Sequence, residues 1–217
     1  QDQQWFAPNN NFYRQIRNLR IDIKSTPENQ RVAALHYQIA QATSIQHVEI
    51  IAGTGTTQIG VFAENGSGGT MSDITFRGGA FGIFGGTQQF TAQRLTFDGC
   101  TTGAQIIWDW GWIWKSIKMT DIDVGFRLLR EGVTEEGHVG SASFIDSTFT
   151  NVSTALLIPP PNPTPGSAST GVVMDNVRFQ NVDKALAAIN GEILLESQGL
   201  MKHWALGPVY SPQRKYS

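Results

Sequence analysis

The residues with the clearest chemical potential form a run of alternating tryptophans. The segment WDWGWIWKS places four indoles at Trp108, Trp110, Trp112 and Trp114. In an extended strand, alternate side chains project from the same face, so this spacing predicts one wall of indoles. Such a wall binds the apolar faces of sugar rings and leaves their hydroxyls free for hydrogen bonds. Carbohydrate is therefore the first ligand class to consider, against the alternative that the indoles only close a core.

Two acids and a hydroxyl lie close to sugar-binding candidates. Asp109 stands between two of the tryptophans, Glu64 opens the segment ENGSGG, and Ser116 closes the tryptophan run. Cleavage of a glycosidic bond requires a proton-donating carboxylic acid and a second group that activates water or attacks. Neither acid has a carboxylate partner nearby in sequence. We predict sugar contacts for Asp109 and Glu64, with a solvated or turn-capping acid as the alternative for each.

Other chemistries find little support in the sequence. Its histidines are scattered, at His36, His47, His138 and His203. They lack metal-ligand spacing, and no nucleotide-binding or nucleophile-elbow motif occurs, so neither a metal nor a cofactor is expected. A net charge of -2, from 16 basic and 18 acidic residues, provides no basic stripe for nucleic acid or anionic lipid. No apolar run reaches the roughly 20 residues of a membrane span.

Two sequons and the start of the chain bear on its origin. Asn65-Gly-Ser and Asn151-Val-Ser fit the pattern for N-glycosylation, which favours secretion. The chain begins at Gln1 without an initiator methionine or a signal peptide. We therefore expect a mature or excised part of a longer protein.

A weak internal repeat organises the chain. Its first positions are Ile74, Leu95, Ile117, Ser147 and Val177, and two more copies begin at Leu19 and Val48. Repeat spacing of about 21 to 30 residues, period-2 alternation and few helix formers are typical of a parallel β-solenoid. The sequence thus predicts an all-β, single-stranded, right-handed parallel β-helix whose first, third and sixth repeat positions face inward.

The repeat register assigns roles to several other positions. Cys100 occupies a sixth position and is therefore predicted to be a buried structural thiol. The residue before each repeat is polar, as expected for a ladder on a solvated face. Residues 131–140 and 159–165 interrupt the pattern and are predicted insertions that bulge from the coils. The chain length suits a single domain, with the β-helix over residues 1–200.

Several long motifs resemble a known family of enzymes. The segments WFAPNNNFYRQIRNLRIDI, FAENGSGGTMSDITF, FGGTQQFTAQRLTFDGC and IIWDWGWIWKSI are similar to the N-terminal β-helix of the β-1,3-glucanases of glycoside hydrolase family 55. The resemblance implies an extracellular, inverting hydrolase that releases glucose or short products from β-1,3-glucan such as laminarin or fungal cell wall. It also implies two tandem β-helices joined side by side in the parent protein. The chain would supply the later part of the first, and residues 201–217 the start of the linker to the second.

The resemblance assigns a water-holding role to two residues. In the motifs GGTQQF and WIWKS it points to Gln88 and Ser116, with Gln89 as a possible substitute. The general acid, a glutamate, would belong to the second β-helix. A 22-residue offset between coils places Gln88 over Trp110, six residues before Ser116. Because that is about 20 Å of extended strand, a shared water requires a corner between them, predicted at Gly111.

Two other function classes remain open. A polysaccharide lyase on the same fold would need calcium-binding carboxylates and a basic residue for uronate substrates. A carbohydrate-binding or structural β-helix without chemistry is the second alternative.

Overall fold

The computed structural model describes residues 7, 10–129, 139–161 and 170–207. These residues form one sheet of 15 strands. The strands are β1 (Gln15–Asp22), β2 (Ala33–Gln41), β3 (Ser44–Ile51), β4 (Ile59–Ser67), β5 (Gly69–Arg77), β6 (Phe81–Gly86), β7 (Gln89–Asp98), β8 (Thr102–Trp108), β9 (Gly111–Lys115), β10 (Lys118–Leu128), β11 (Ser141–Ile145), β12 (Thr148–Ile158), β13 (Gly171–Ala188), β14 (Ile193–Glu196) and β15 (Leu200–Leu206). Among the described residues, no helix could span a membrane.

The strands stack in two columns of parallel neighbours. Odd-numbered strands from β1 to β11 form one column, even-numbered strands from β2 to β12 form the other, and the long β13 ends both. Successive coils therefore pair through backbone hydrogen bonds between equivalent residues. This arrangement confirms the predicted parallel β-helix.

From Val48 onward, the first and third repeat positions are buried as the sequence predicts, whereas Leu19 in the first described coil is 51% exposed. Leu19 pairs with Val48, Val48 with Ile74 and Ile74 with Leu95, so the first positions stack in register. At the third position, the rings of Phe76 and Phe97 stack with centroids 4.8 Å apart. Cys100 is buried, as predicted, and burial raises the pKa of its thiol to about 12. The core is thus a set of side-chain ladders that run along the solenoid.

The chain turns at three corners in each coil. The first corner is the residue before each repeat, where φ lies between 50° and 58° in Asn18, His47, Asp73, Arg94, Ser116, Asp146 and Asn176. The second is the fifth repeat position, also left-handed, in Gly78, Gly99, Asp121, Asn151 and Asn181. The third lies where a second-column strand passes to the next first-column strand. Glycine, asparagine and aspartate tolerate left-handed backbone best, which explains much of the polar ladder seen in the sequence.

The end of the described solenoid differs from the coils before it. β14 and β15 both pair with β13 in antiparallel orientation. β15 thus carries the sheet past the domain boundary predicted at residue 200. Residues 208–217, the rest of the predicted linker, lie outside the described residues, as do residues 131–138 and 162–165 of the two predicted insertions.

Candidate functional site

A groove lies at the third corner of the early coils. It has a volume of about 350 Å³, and its lining includes Phe12, Gln41, Asn65, Gln88 and Trp108. Apart from Phe12, which precedes β1, these residues come from the ends of β2, β4 and β8 and from the turn after β6. We call this feature the corner groove. Its volume falls within the usual range of small-ligand sites, about 300 to 1,000 Å³.

Backbone hydrogen bonds between coils fix the floor of the corner groove. The carbonyl of Gly66 accepts a hydrogen bond from the N–H of Gln88 at 3.0 Å, and the carbonyl of Gln88 accepts one from Trp110 at 2.7 Å. Gly66 has φ 83°, and a Cβ there would lie 2.8 Å from the Ile39 side chain. A glycine is therefore needed at this point for the coils to approach each other.

Three carboxamides line the corner groove, from Gln41, Asn65 and Gln88. None of them makes a side-chain hydrogen bond to another described residue. Among the described lining residues there is also no Asp, Glu, Lys or Arg. The walls therefore offer neutral donors and acceptors that are free to bond to a ligand.

Trp108 is the member of the tryptophan run that lines the corner groove. Its half-buried indole lies against the backbone of Gly86, where an added Cβ would lie 2.4 Å from the ring. Gly86 thus leaves room for the indole beside the groove. An aromatic face next to free carboxamides suits a sugar ring, which has apolar faces and a polar edge.

The predicted wall of four indoles is wrong. The chain bends at Asp109 and Trp110 before β9 begins, so the alternation does not run through the whole segment. Trp112 and Trp114 are 1% and 0% exposed, and their rings stack with centroids 4.7 Å apart. Both belong to the core and cannot contact a sugar. Trp110 is 65% exposed and lies outside the groove lining.

Asp109 is a buried anchor between coils and not a groove residue. Its side chain is buried, and its Oδ1 accepts a hydrogen bond from the N–H of Gly140 at 2.6 Å. Its Oδ2 has no partner among the described residues. Burial raises the pKa of this carboxyl to about 7, against the lowering effect of backbone hydrogen bonds from Gly140 and Ser141. The predicted sugar contact at Asp109 is therefore not supported.

Glu64 also lies outside the groove lining, although it directly precedes Asn65. Its Oε2 lies 2.7 Å from Nε2 of His36 in a partly exposed pair. The His36 ring stacks on Phe62 with centroids 4.9 Å apart. Glu64 thus belongs to an outward-facing cluster beside the groove, and its predicted sugar contact stays a prediction. Among the described residues, no three potential metal ligands come together.

The structure does not bring Gln88 and Ser116 together. Gln88 lines the corner groove, whereas Ser116 forms the first corner after β9. The corner predicted at Gly111 is wrong, because Gly111 begins β9 and the strand continues extended to Lys115. Gln88 lies beside Gly111 at the start of β9, and Ser116 follows the end of that strand, so the five residues of β9 separate them. A water held by both side chains has no support in this geometry. Gln89, the possible substitute, is exposed and pairs with Gly111.

The two sequons lie in contrasting places. Asn65 lines the corner groove, whereas Asn151 lies at the second corner. The Asn151 carboxamide donates to Oδ1 of Asp121 and accepts from Nδ2 of Asn181, both at 2.9 Å. Glycosylation of either asparagine stays a prediction.

Sequence reasoning did not find Gln41 and Phe12 as groove residues. Gln41 pairs with Ser67, which also lines the groove. Extending the repeat register back to β2 would have placed Gln41 at the same corner as Gln88. Phe12 precedes β1, outside the repeats, and no spacing in the sequence points to it.

Known proteins similar to this chain were found by sequence comparison. The profile of a family described as rhamnogalacturonase A/epimerase, pectate lyase-like, matches residues 1–127. A protein of Arthroderma benhamiae named "Probable glucan endo-1,3-beta-glucosidase" is 35% identical over 212 residues, which cover 95% of this chain and 24% of that protein. The "Glucan 1,3-beta-glucosidase" of Cochliobolus carbonum is 33% identical over 213 residues, covering 96% and 26%.

A relative of a different name also matches. The "Non-secreted LysM effector LysM19" of Penicillium expansum is 38% identical over 192 residues, which cover 85% of this chain and 15% of that protein. The chain thus spans between 15% and 26% of the length of these three relatives. The two glucosidase relatives, together with the family match, confirm the resemblance to β-1,3-glucanases that the sequence motifs predict.

Proposed function

Because the chain belongs to the pectate-lyase-like family of rhamnogalacturonase A and epimerase β-helices, we propose that its corner groove binds a polysaccharide, and that this polysaccharide is β-1,3-glucan. The observation that carries the proposal is the combination of one indole, Trp108, with three carboxamides that have no side-chain hydrogen bond to a described residue, all in one groove. Indole binds the apolar face of a glucose ring, and carboxamides bond to its hydroxyls.

The charge of the groove favours a neutral sugar over a uronate. A rhamnogalacturonan or pectate ligand carries carboxylates, which proteins bind with arginine, lysine or bound cations. The described lining of the corner groove contains no basic side chain. Glucan carries no charge, so its binding requires neither basic side chains nor cations. The names of the two glucosidase relatives support the same choice.

We further propose that the parent protein is a secreted, inverting hydrolase that acts from the chain end and releases glucose. A glutamic acid outside this chain would protonate the glycosidic oxygen as its bond to the anomeric carbon breaks. Water would attack that carbon from the opposite face and pass its proton to solvent or a carboxylate, which inverts the configuration.

Gln88 is the residue of this chain that we assign to the attacking water. Its carboxamide lines the groove and has no described protein partner, so it can bond to a water and to a sugar at once. A carboxamide is too weak a base to remove the proton, and its contribution is to position the water. Ser116 lies too far along β9 to share that task in the observed geometry.

Calorimetric titration of the chain with laminaritriose tests the proposal. We expect binding by the wild-type chain and at least about fivefold weaker binding by Trp108→Ala, since stacking on an aromatic ring contributes about 1 kcal/mol or more. Trp110→Ala is the matched control, because this indole is exposed but lies outside the groove. Binding of a galacturonate trimer in preference to laminaritriose would contradict the proposed ligand.

A binding module without chemistry is the second candidate. The observation in its favour is the similarity to a LysM effector, whose name describes no hydrolase. The two candidates share the groove and its ligand and differ in the remainder of the parent protein. Release of glucose from laminarin by the complete parent protein would favour the hydrolase, and binding without release would favour the module.

A further inference from the structure

We propose that Asn65 is a sugar-contacting residue of the corner groove and is not a glycan acceptor, although it heads a sequon. The inference rests on the proposed function, because it assigns a ligand-binding role within the same groove. It changes the meaning of the motif Asn65-Gly66-Ser67, which the sequence alone marks for glycosylation.

The position of Asn65 carries the first step. Asn65 lies within β4, pairs in register with Ile39 of β2 and lines the groove together with Gly66 and Ser67. A branched glycan on Asn65 would therefore begin inside the groove. The same site cannot hold a bulky covalent glycan and an oligosaccharide ligand.

The side chains of Asn65 and Asn151 differ in their hydrogen bonds. Asn65 and Asn151 share a left-handed backbone, with φ 61° and 53°. The Asn151 carboxamide is used on both sides, by Asp121 and Asn181, and so serves the fold. The Asn65 carboxamide makes no hydrogen bond to any described residue. Because Asn65 is only partly buried and has no described protein partner, its amide can bond to water or to a ligand that replaces the water.

Asn65 is linked to Gln88 through the backbone of Gly66. The carbonyl of Gly66, the next residue after Asn65, accepts the hydrogen bond from the N–H of Gln88 at 3.0 Å. The two carboxamides therefore lie on adjacent coils, whose backbones are about 4.8 Å apart. Two carboxamides on adjacent coils can therefore reach different hydroxyls of one sugar ring or of two linked rings. Asn65 and Gln88 together form a pair of neutral contacts for one end of the ligand.

The test replaces Asn65 without disturbing the backbone. Asn65→Gly permits the left-handed conformation and removes the side chain with its carboxamide, and Asn151→Gly makes the same change at the second corner. In calorimetry with laminaritriose, we expect Asn65→Gly to bind about fivefold to tenfold more weakly than wild type. Asn151→Gly is expected to keep wild-type affinity and to lose thermal stability.

Peptide mapping by mass spectrometry tests whether Asn65 carries a glycan. Chain secreted from a glycosylating yeast should carry no glycan on Asn65 and should bind laminaritriose as tightly as chain made in bacteria. Wild-type affinity of Asn65→Gly, or a glycan on Asn65 with binding retained, would overturn the assignment of Asn65 and leave the proposed function standing. Absence of laminaritriose binding by both wild-type preparations would overturn the proposed function itself.

Discussion

The second and third corners of the coil both bend the chain, but their side chains differ in hydrogen bonding. Both reverse the chain with left-handed residues, among them Asn151 at the second corner and Asn65 and Gly66 at the third. At the second corner, the carboxamide of Asn151 donates to Asp121 and accepts from Asn181, so the side chains form a ladder between coils. At the third, the carboxamides have no described protein partner and surround a groove. Unused hydrogen-bonding capacity therefore distinguishes the third corner from the second, although asparagine occurs at both.

The largest expected effect comes from adding one methyl group at each corner. Gly66→Ala forces a Cβ to within 2.8 Å of Ile39 in a left-handed residue, so we expect a loss of about 2–4 kcal/mol in the free energy of unfolding. Gly99→Ala at the second corner has the same handedness but nothing within 4 Å, and should lose about 1 kcal/mol. Urea unfolding of both variants measures the difference. Equal losses would mean that the third corner is no more tightly packed than the second.

The next effect concerns pH, because the third corner of a later coil buries Asp109. Burial raises the pKa of this carboxyl to about 7 in the folded chain, above its unfolded value of roughly 4. The folded state therefore holds its proton more tightly, and stability from this group is present below pH 4 and is lost as pH rises to about 7.

Asp109→Asn should remove that dependence while keeping an acceptor for the N–H of Gly140. Relative to wild type, the variant should gain on the order of 1–3 kcal/mol between pH 4 and pH 8. Chemical unfolding at the two pH values provides the measurement. A variant that tracks wild type at both would show that the Asp109 carboxyl ionises as freely in the folded chain as in the unfolded one.

The smallest effect separates Gln88 from Ser116, the pair that the family resemblance links. Gln88→Ala should weaken laminaritriose binding about fivefold, because one neutral hydrogen bond is lost in the groove. Ser116→Ala should leave affinity unchanged, since Ser116 lies at the first corner beyond β9. Equal weakening by both changes would show that the two side chains act on one ligand despite their separation.

The repeat alone was sufficient to predict the fold. Its first and third positions alternate as in an extended strand, and the spacing of the copies stacks equivalent positions, so the sequence predicts both the register and the burial of Cys100. The positions of the corners were harder to predict from the sequence. A polar residue before each repeat is compatible with any solvated face, and only the backbone reveals that Ser116 and Asp146 have left-handed φ.

The site was predicted in part, because alternation does not reveal where a strand ends. Trp108 and Trp112 belong to the same alternating run of the sequence. A bend at Asp109 and Trp110 nevertheless places Trp108 in the groove and Trp112 in the core. Gln88 was identified through a motif and lies in the groove. Gln41 was missed, because a groove formed by three coils depends on which turns stack, and turn lengths vary from coil to coil.

A crystal structure of the chain with laminaritriose tests whether the corner groove binds the glucan. We expect a glucose ring against the Trp108 indole, with hydroxyls bonded to the carboxamides of Asn65 and Gln88. An oligosaccharide bound on exposed Trp110 or on the cluster of His36 and Phe62, with the corner groove empty, would contradict it.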